Sequence, residues 1–227
     1  MLRRYYISEH VQKTEGTLMA SIFETVLGEC FGELDGSLQA YFGSLAPDEE
    51  GVARGVFREA GLRRRLLTPL FRMLGSHGIA FAEFGVGVEF VARNTEADGI
   101  RRATRLFRYP RAERVMVDRM HARDGRIVDR VGYRGQVEVE FEVRVVDGGL
   151  RMRSRRLALH VAGVRVPLPR VATFVLRERA RATEQHVDLR VSVPVWGEIY
   201  GYDGVFVYTT RRRVVEGFAP GGTGWPG

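Results

Sequence analysis

Residues 79–93 read IAFAEFGVGVEFVAR, and residues 185–195 read QHVDLRVSVPV. In the first stretch Ala80, Ala82, Phe84, Val86, Val88 and Phe90 fall on one face, with Glu83 and Glu89 on the other. In the second, Val187, Leu189, Val191, Val193 and Val195 alternate against His186, Asp188 and Arg190. Strict alternation of apolar and polar residues is the pattern of an antiparallel strand with one buried face. The same period predicts strands near 52–59, 100–109, 113–122, 126–133, 136–146, 150–161, 172–181 and 203–213. Asp124-Gly125 and Asp147-Gly148 suit two-residue hairpin turns.

One hairpin can be registered residue by residue. With Asp147-Gly148 as the turn, Val146 faces Gly149, Val145 faces Leu150 and Val143 faces Met152. Glu142 then faces Arg153, and Glu140 faces Arg155, so opposite charges meet across the strands. The run Arg151, Arg153, Arg155 therefore reads as a solvated strand face. Leu157, Leu159 and Val161 resume a buried face out of phase with it, which predicts a β-bulge at Arg155–Arg156.

Ahead of the strands the period changes. Ile22, Val26, Leu27 and Cys30 lie at helical spacing within 18–34, which places Cys30 on an apolar helix face as a packing residue. Leu38 to Phe42 suggest a further turn of helix, and Arg63 to Leu74 another, with Pro69 near its first turn. The expected fold is therefore α+β, with N-terminal helices packed against a large, curved antiparallel β-sheet or partial barrel. A loose lead-in (1–17), one domain (18–215) and a Gly/Pro-rich tail (216–227) complete the expected organisation.

The chain of 227 residues carries a net charge of +7, and Lys13 is its only lysine. Acids are interleaved with the arginines, so nucleic acid is not the expected partner. A nucleic-acid surface would require Arg63–Arg65 and Arg211–Arg213 to converge on one face. One cysteine permits no intrachain disulfide, and no stretch reaches the roughly 18 apolar residues of a membrane span. A reducing, cytoplasmic setting is the expectation.

The familiar signatures of catalysis and metal binding are missing. Gly85-Val86-Gly87 lacks a third glycine, the five histidines are scattered, and no nucleophile elbow is present. His121 beside Asp118 reads either as an acid/base pair or, equally well, as exposed strand residues. No catalytic residue, metal ligand or cofactor is assigned.

Three charges sit on otherwise apolar faces. Arg105 shares its face with Ala103, Phe107 and Tyr109. Asp129 shares its face with Ile127, Val131 and Tyr133, and Glu178 shares its face with Ala172, Phe174 and Leu176. Buried charges cost several kcal/mol unless paired. The trio is either an ion-pair network that fixes the fold or a polar spot in an internal cavity that orients a ligand.

The same segments carry a family resemblance. It runs through Leu27-Gly28-Glu29, Thr104-Arg105-Leu106-Phe107, Val128-Asp129-Arg130-Val131-Gly132, Pro167-Leu168-Pro169 and Glu178. It closes on Val193-Pro194-Val195-Trp196-Gly197, Tyr202 and Gly204. Over about 20–210 the chain resembles the bacterial domain of unknown function 4166, often fused behind saccharopine-dehydrogenase-like reductase domains. Ala103 stands where that family often has tryptophan, and Asp129 where it tends to have glutamate. The resemblance implies an accessory or ligand-handling role at most, and reductase activity is not carried over from the fused domains.

Two functions are therefore expected in competition. The first is a binding module for a small, largely apolar or acidic ligand, with Arg105, Asp129, Glu178 and Tyr202 as ligand-binding residues and Arg105 anchoring an acidic group. The second is a module docking on a reductase-type or membrane partner through Trp196, Ile199 and Tyr200.

Overall fold

The computed structural model describes residues 19–213; the expected lead-in and the expected tail lie outside them. Three short helices, α1 (Ile22–Leu27), α2 (Gly36–Phe42) and α3 (Thr68–Ser76), accompany eleven strands. These are β1 (Glu49–Leu62), β2 (Phe84–Ala97), β3 (Ile100–Tyr109), β4 (Ala112–Arg123), β5 (Arg126–Val131) and β6 (Val137–Val146). There follow β7 (Gly149–Val161), β8 (Val164–Leu168), β9 (Thr173–Arg181), β10 (Glu184–Val193) and β11 (Gly197–Arg212).

The sheet is antiparallel throughout, in the order β6-β5-β4-β3-β2-β1-β11-β10-β9-β7-β8, and β6 also pairs with β7. That last pairing joins the two ends. The expected sheet or partial barrel is thus corrected to a closed barrel of ten strands, with β8 lying outside the ring on β7. Closure satisfies the edges that an open sheet would expose. The helical share is small, so the protein is mainly β.

The ring is joined unevenly at β7. Its first half, Leu150 to Arg153, pairs with β9, and its second half, Leu157 to Val161, pairs with β8. The connection 169–172 crosses between them. The β6–β7 register matches the sequence reading from Val146↔Gly149 to Glu142↔Arg153. Arg155 is the extra residue of the bulge, so Glu140 faces Arg156 and not Arg155. Val161 is exposed, where the alternation placed it inside.

The two ends of the barrel differ. The β2–β3, β4–β5 and β6–β7 turns lie at the end closed by α1 and α2. There Arg101 donates to the backbone carbonyls of Tyr41, Phe42 and Gly43, and Glu96 accepts from the Ile22 amide. The α1 stripe ends sooner than its sequence suggests: a 3₁₀ turn, Gly28–Glu33, follows it, and Cys30 is exposed rather than packed. Ser21 caps α1 in a reciprocal capping box with Glu24, accepting from its amide at 3.0 Å. Ser21→Ala is expected to lower stability by about 1 kcal/mol in a urea melt, the usual worth of a cap; an unchanged midpoint would show that α1 does not need it.

The core is aromatic. Phe57 stacks on Phe90 at 4.3 Å and on Tyr202 at 5.2 Å between ring centroids. Gly204 faces Phe57 across β1 and β11, and a Cβ there would come within 2.2 Å of the Phe57 ring. Only glycine lets the two strands approach over that ring. Among the described residues no helix is long and apolar enough to cross a membrane.

Candidate functional site

A cavity of about 400 Å³ occupies the barrel interior toward the α3 end. Its wall is built from alternate residues of successive strands, among them Val139, Met152, Leu176, Leu189 and Val191. The period-two pattern puts these side chains inward, and hydrogen bonding around the ring holds them there. Leu70, Phe71 and Leu74 of α3 lie across the cavity, and Val171 and Ala172 border it at the seam between β8 and β9. Phe71 stacks on Tyr200 at 5.4 Å. Leu70 and Val171 are half exposed, so the mouth lies between α3 and the 169–172 connection.

The floor is polar. Arg105, Asp118 and Asp129 border the cavity, together with Tyr202. Register explains the grouping. Arg105 lies opposite Met116, two residues before Asp118 on the same face of β4, and Asp129 lies opposite Met120. Arg105 forms an ion pair with Asp118, whose side chain is 2% exposed.

The carboxylates are only partly used. Asp118 Oδ1 and Asp129 Oδ1 are both buried and accept no hydrogen bond among the described residues. Such an oxygen costs about 1–3 kcal/mol relative to a satisfied one. Burial, opposed by the Arg105 charge, pushes the Asp129 carboxyl up to about 7. Near neutrality the floor therefore holds one guanidinium, one carboxylate and one carboxyl able to hold or release a proton.

The four residues singled out from the sequence are all brought inside, but not to one spot. Arg105 and Tyr202 border both the large cavity and a small void of about 50 Å³ beneath it. Asp129 faces the large cavity only. Glu178 faces the small void, where Gln185 donates to it and burial pushes its carboxyl up to about 7. Burial likewise raises the Tyr202 hydroxyl to about 12.

Asp118 is the cavity-floor residue that the sequence pattern did not reveal. Both faces of β4 carry apolar residues, Val115 and Val117 on one and Met116 and Met120 on the other. The alternation therefore gave no inside. The signal that could have found it is the methionine face: Asp118 lies between Met116 and Met120 as Arg105 lies between Ala103 and Phe107.

The expected docking patch is corrected. Ile199 and Tyr200 are buried cavity-wall residues, and only Trp196 of the three is exposed. The two arginine runs do not converge either. Arg63 to Arg65 follow the end of β1 near α3, whereas Arg211 and Arg212 pair with Glu50 and Asp48 at its start.

A family model described as a domain of unknown function (DUF4166) matches residues 34–206. No curated protein and no solved structure matches the chain.

Proposed function

We propose that this chain, which belongs to the DUF4166 family, is a non-enzymatic carrier or sensor that takes a small apolar ligand into the barrel with its hydrogen-bond-donating end on the floor. The observation that carries this reading is the pair of orphaned oxygens, Asp118 Oδ1 and Asp129 Oδ1, at the bottom of an otherwise apolar cavity. The cavity volume falls within the roughly 300–1,000 Å³ of small-molecule sites.

The Arg105–Asp118 pair changes the head group expected from the sequence. Arg105 already has a carboxylate partner, and a second acid would arrive beside Asp118 and Asp129. Like charges in a buried site repel strongly. A hydroxyl, by contrast, donates to a waiting carboxylate oxygen without bringing charge into the interior. The ligand class that fits is an apolar alcohol, aliphatic or cyclic.

The test uses Nile red as a neutral probe of the cavity, displaced by 1-dodecanol or by dodecanoate. Dodecanol is expected to compete at least about tenfold better, the worth of one hydrogen bond to a charged group. Ala172→Trp, which fills the mouth, is expected to abolish uptake while leaving the melting temperature near its starting value. Preference for dodecanoate, or uptake undisturbed in Ala172→Trp, contradicts the reading.

A further inference from the structure

Four segments surround the cavity mouth: residues 63–78, 132–136, 169–172 and 194–196. Hydrogen bonds tie three of them together. The Arg64 guanidinium donates to the Trp196 carbonyl, and the Tyr133 amide donates to the His77 carbonyl. Leu70 and Val171 share the mouth itself.

These segments contain no aspartate or glutamate. They carry Arg64, Arg65, Arg72, Arg134 and Arg170, all exposed and none ion-paired among the described residues. On the barrel wall the arrangement is mixed: Arg54, Arg93, Arg102 and Arg153 are exposed and unpaired among the described residues, whereas others are paired. Arg58, Arg108, Arg123, Arg126, Arg144 and Arg155 each meet a carboxylate. What sets the mouth apart is that its unpaired arginines, with Glu83 near Arg72 and Glu198 near Arg64, stand among exposed apolar side chains.

Exposed apolar side chains are interleaved with these arginines. Leu66 is 80% exposed and Val195 is 100% exposed, and Leu70, Met73, Tyr133, Val171 and Trp196 are exposed beside them. Large apolar residues ringed by unpaired arginines match the chemistry of an anionic bilayer surface. Apolar tips enter the acyl boundary while guanidinium groups meet lipid phosphates.

We propose that the cavity mouth docks on an anionic lipid bilayer. The charge complementarity commits the surface to lipid: a protein partner would need an acidic face of matching shape, whereas a bilayer offers phosphate at every point. Docking there brings the cavity opening against the membrane, from which an apolar ligand can enter without crossing water.

Co-sedimentation with vesicles tests this, comparing phosphatidylcholine alone with phosphatidylcholine containing about 30% phosphatidylglycerol. Binding is expected only with the anionic lipid, and is expected to weaken as salt rises. Arg65→Glu/Arg72→Glu and Leu66→Asp/Val195→Asp are each expected to weaken it at least about tenfold. Arg93→Glu/Arg102→Glu, an equal charge change on the exposed barrel wall, is expected to alter it less than about twofold. Absence of binding to the anionic vesicles, mouth variants that bind as before, or an equal loss in the wall variant overturns the proposal. None of the substituted mouth residues borders the cavity, so Nile red uptake by the mouth variants reports the cavity separately from docking.

Discussion

Asp118→Ala is expected to destabilise the barrel by about 3–5 kcal/mol, because it strands a buried guanidinium. Arg105 is 15% exposed at its side chain and Asp118 2%, so water recovers little of the loss. The neighbouring carboxyls give limited help, since burial holds both Asp129 and Glu178 up to about 7. The penalty is therefore expected to be largest near pH 5.5, where both stay protonated. It is expected to shrink near pH 8, where Asp129 ionises and serves as a substitute counter-ion. The double variant Arg105→Met/Asp118→Leu is expected to recover most of the stability, because removing both charges leaves nothing uncompensated. Urea melts of the three proteins at the two pH values measure this. A cost below about 1 kcal/mol in Asp118→Ala would mean that the ion pair does not settle Arg105.

The second large effect concerns pH. Asp129 moves from an ordinary value of 3.8 to about 7, and Glu178 from 4.5 to about 7. Both are raised acids, so folding holds their protons more tightly than the unfolded chain does. Their contribution is fully present below pH 4 and is lost as pH rises toward 7. At about 1.4 kcal/mol per unit, each accounts for a loss on the order of 3–4 kcal/mol. Glu83, Glu138 and Glu140 work in the opposite sense. Burial opposes ionisation at all three and is the largest single influence at Glu138 and Glu140, whereas at Glu83 the Arg114 hydrogen bond is larger. Arginine partners, joined by His160 at Glu138, hold all three below the ordinary value. Their contribution is lost as pH falls below about 4.5. Stability is expected to peak in mildly acidic solution. Asp129→Asn/Glu178→Gln is expected to be more stable than the parent at pH 8 by several kcal/mol and nearly equal to it at pH 4. Parallel stability curves for the two proteins across that range would show that neither carboxyl holds a raised value.

The barrel was legible wherever one face of a strand was apolar and the other was not. Val187, Val191, Phe107, Leu176 and Met152 all point inward as their alternation requires. The Asp147-Gly148 hairpin was readable to the residue because turn chemistry and cross-strand charge agree. Closure was not readable, since the β6–β7 hairpin that supplies it looks like any other hairpin until its distance around the ring is known. β8 was missed for a related reason. Val164 to Leu168 lie outside the ring, Pro167 interrupts the period, and Val164 and Val166 are exposed. The outer ends of strands also misled. Phe84, Val86 and Val195 continue an inward alternation in sequence but stand clear of the core.

The candidate site divides along the same physical line. Arg105, Asp129 and Glu178 announced themselves by breaking apolar faces. Their partners did not: Asp118 sits on a strand with two apolar faces, and Gln185 opens β10 without a strong pattern. Charge at the mouth was hidden by composition. Arg64, Arg65, Arg72 and Arg170 lie in the acid-free stretches 60–82 and 148–177, but only the fold brings them together with Arg134.

A crystal structure of the protein saturated with 1-dodecanol bears most directly on the interior. Continuous density is expected to run from the mouth beside Leu70 and Val171 past Leu176 and Val191. Its hydroxyl is expected within hydrogen-bonding distance of Asp118 Oδ1 or Asp129 Oδ1. Ordered water alone on those two oxygens, with the alcohol elsewhere or absent, would contradict the binding role assigned to the barrel.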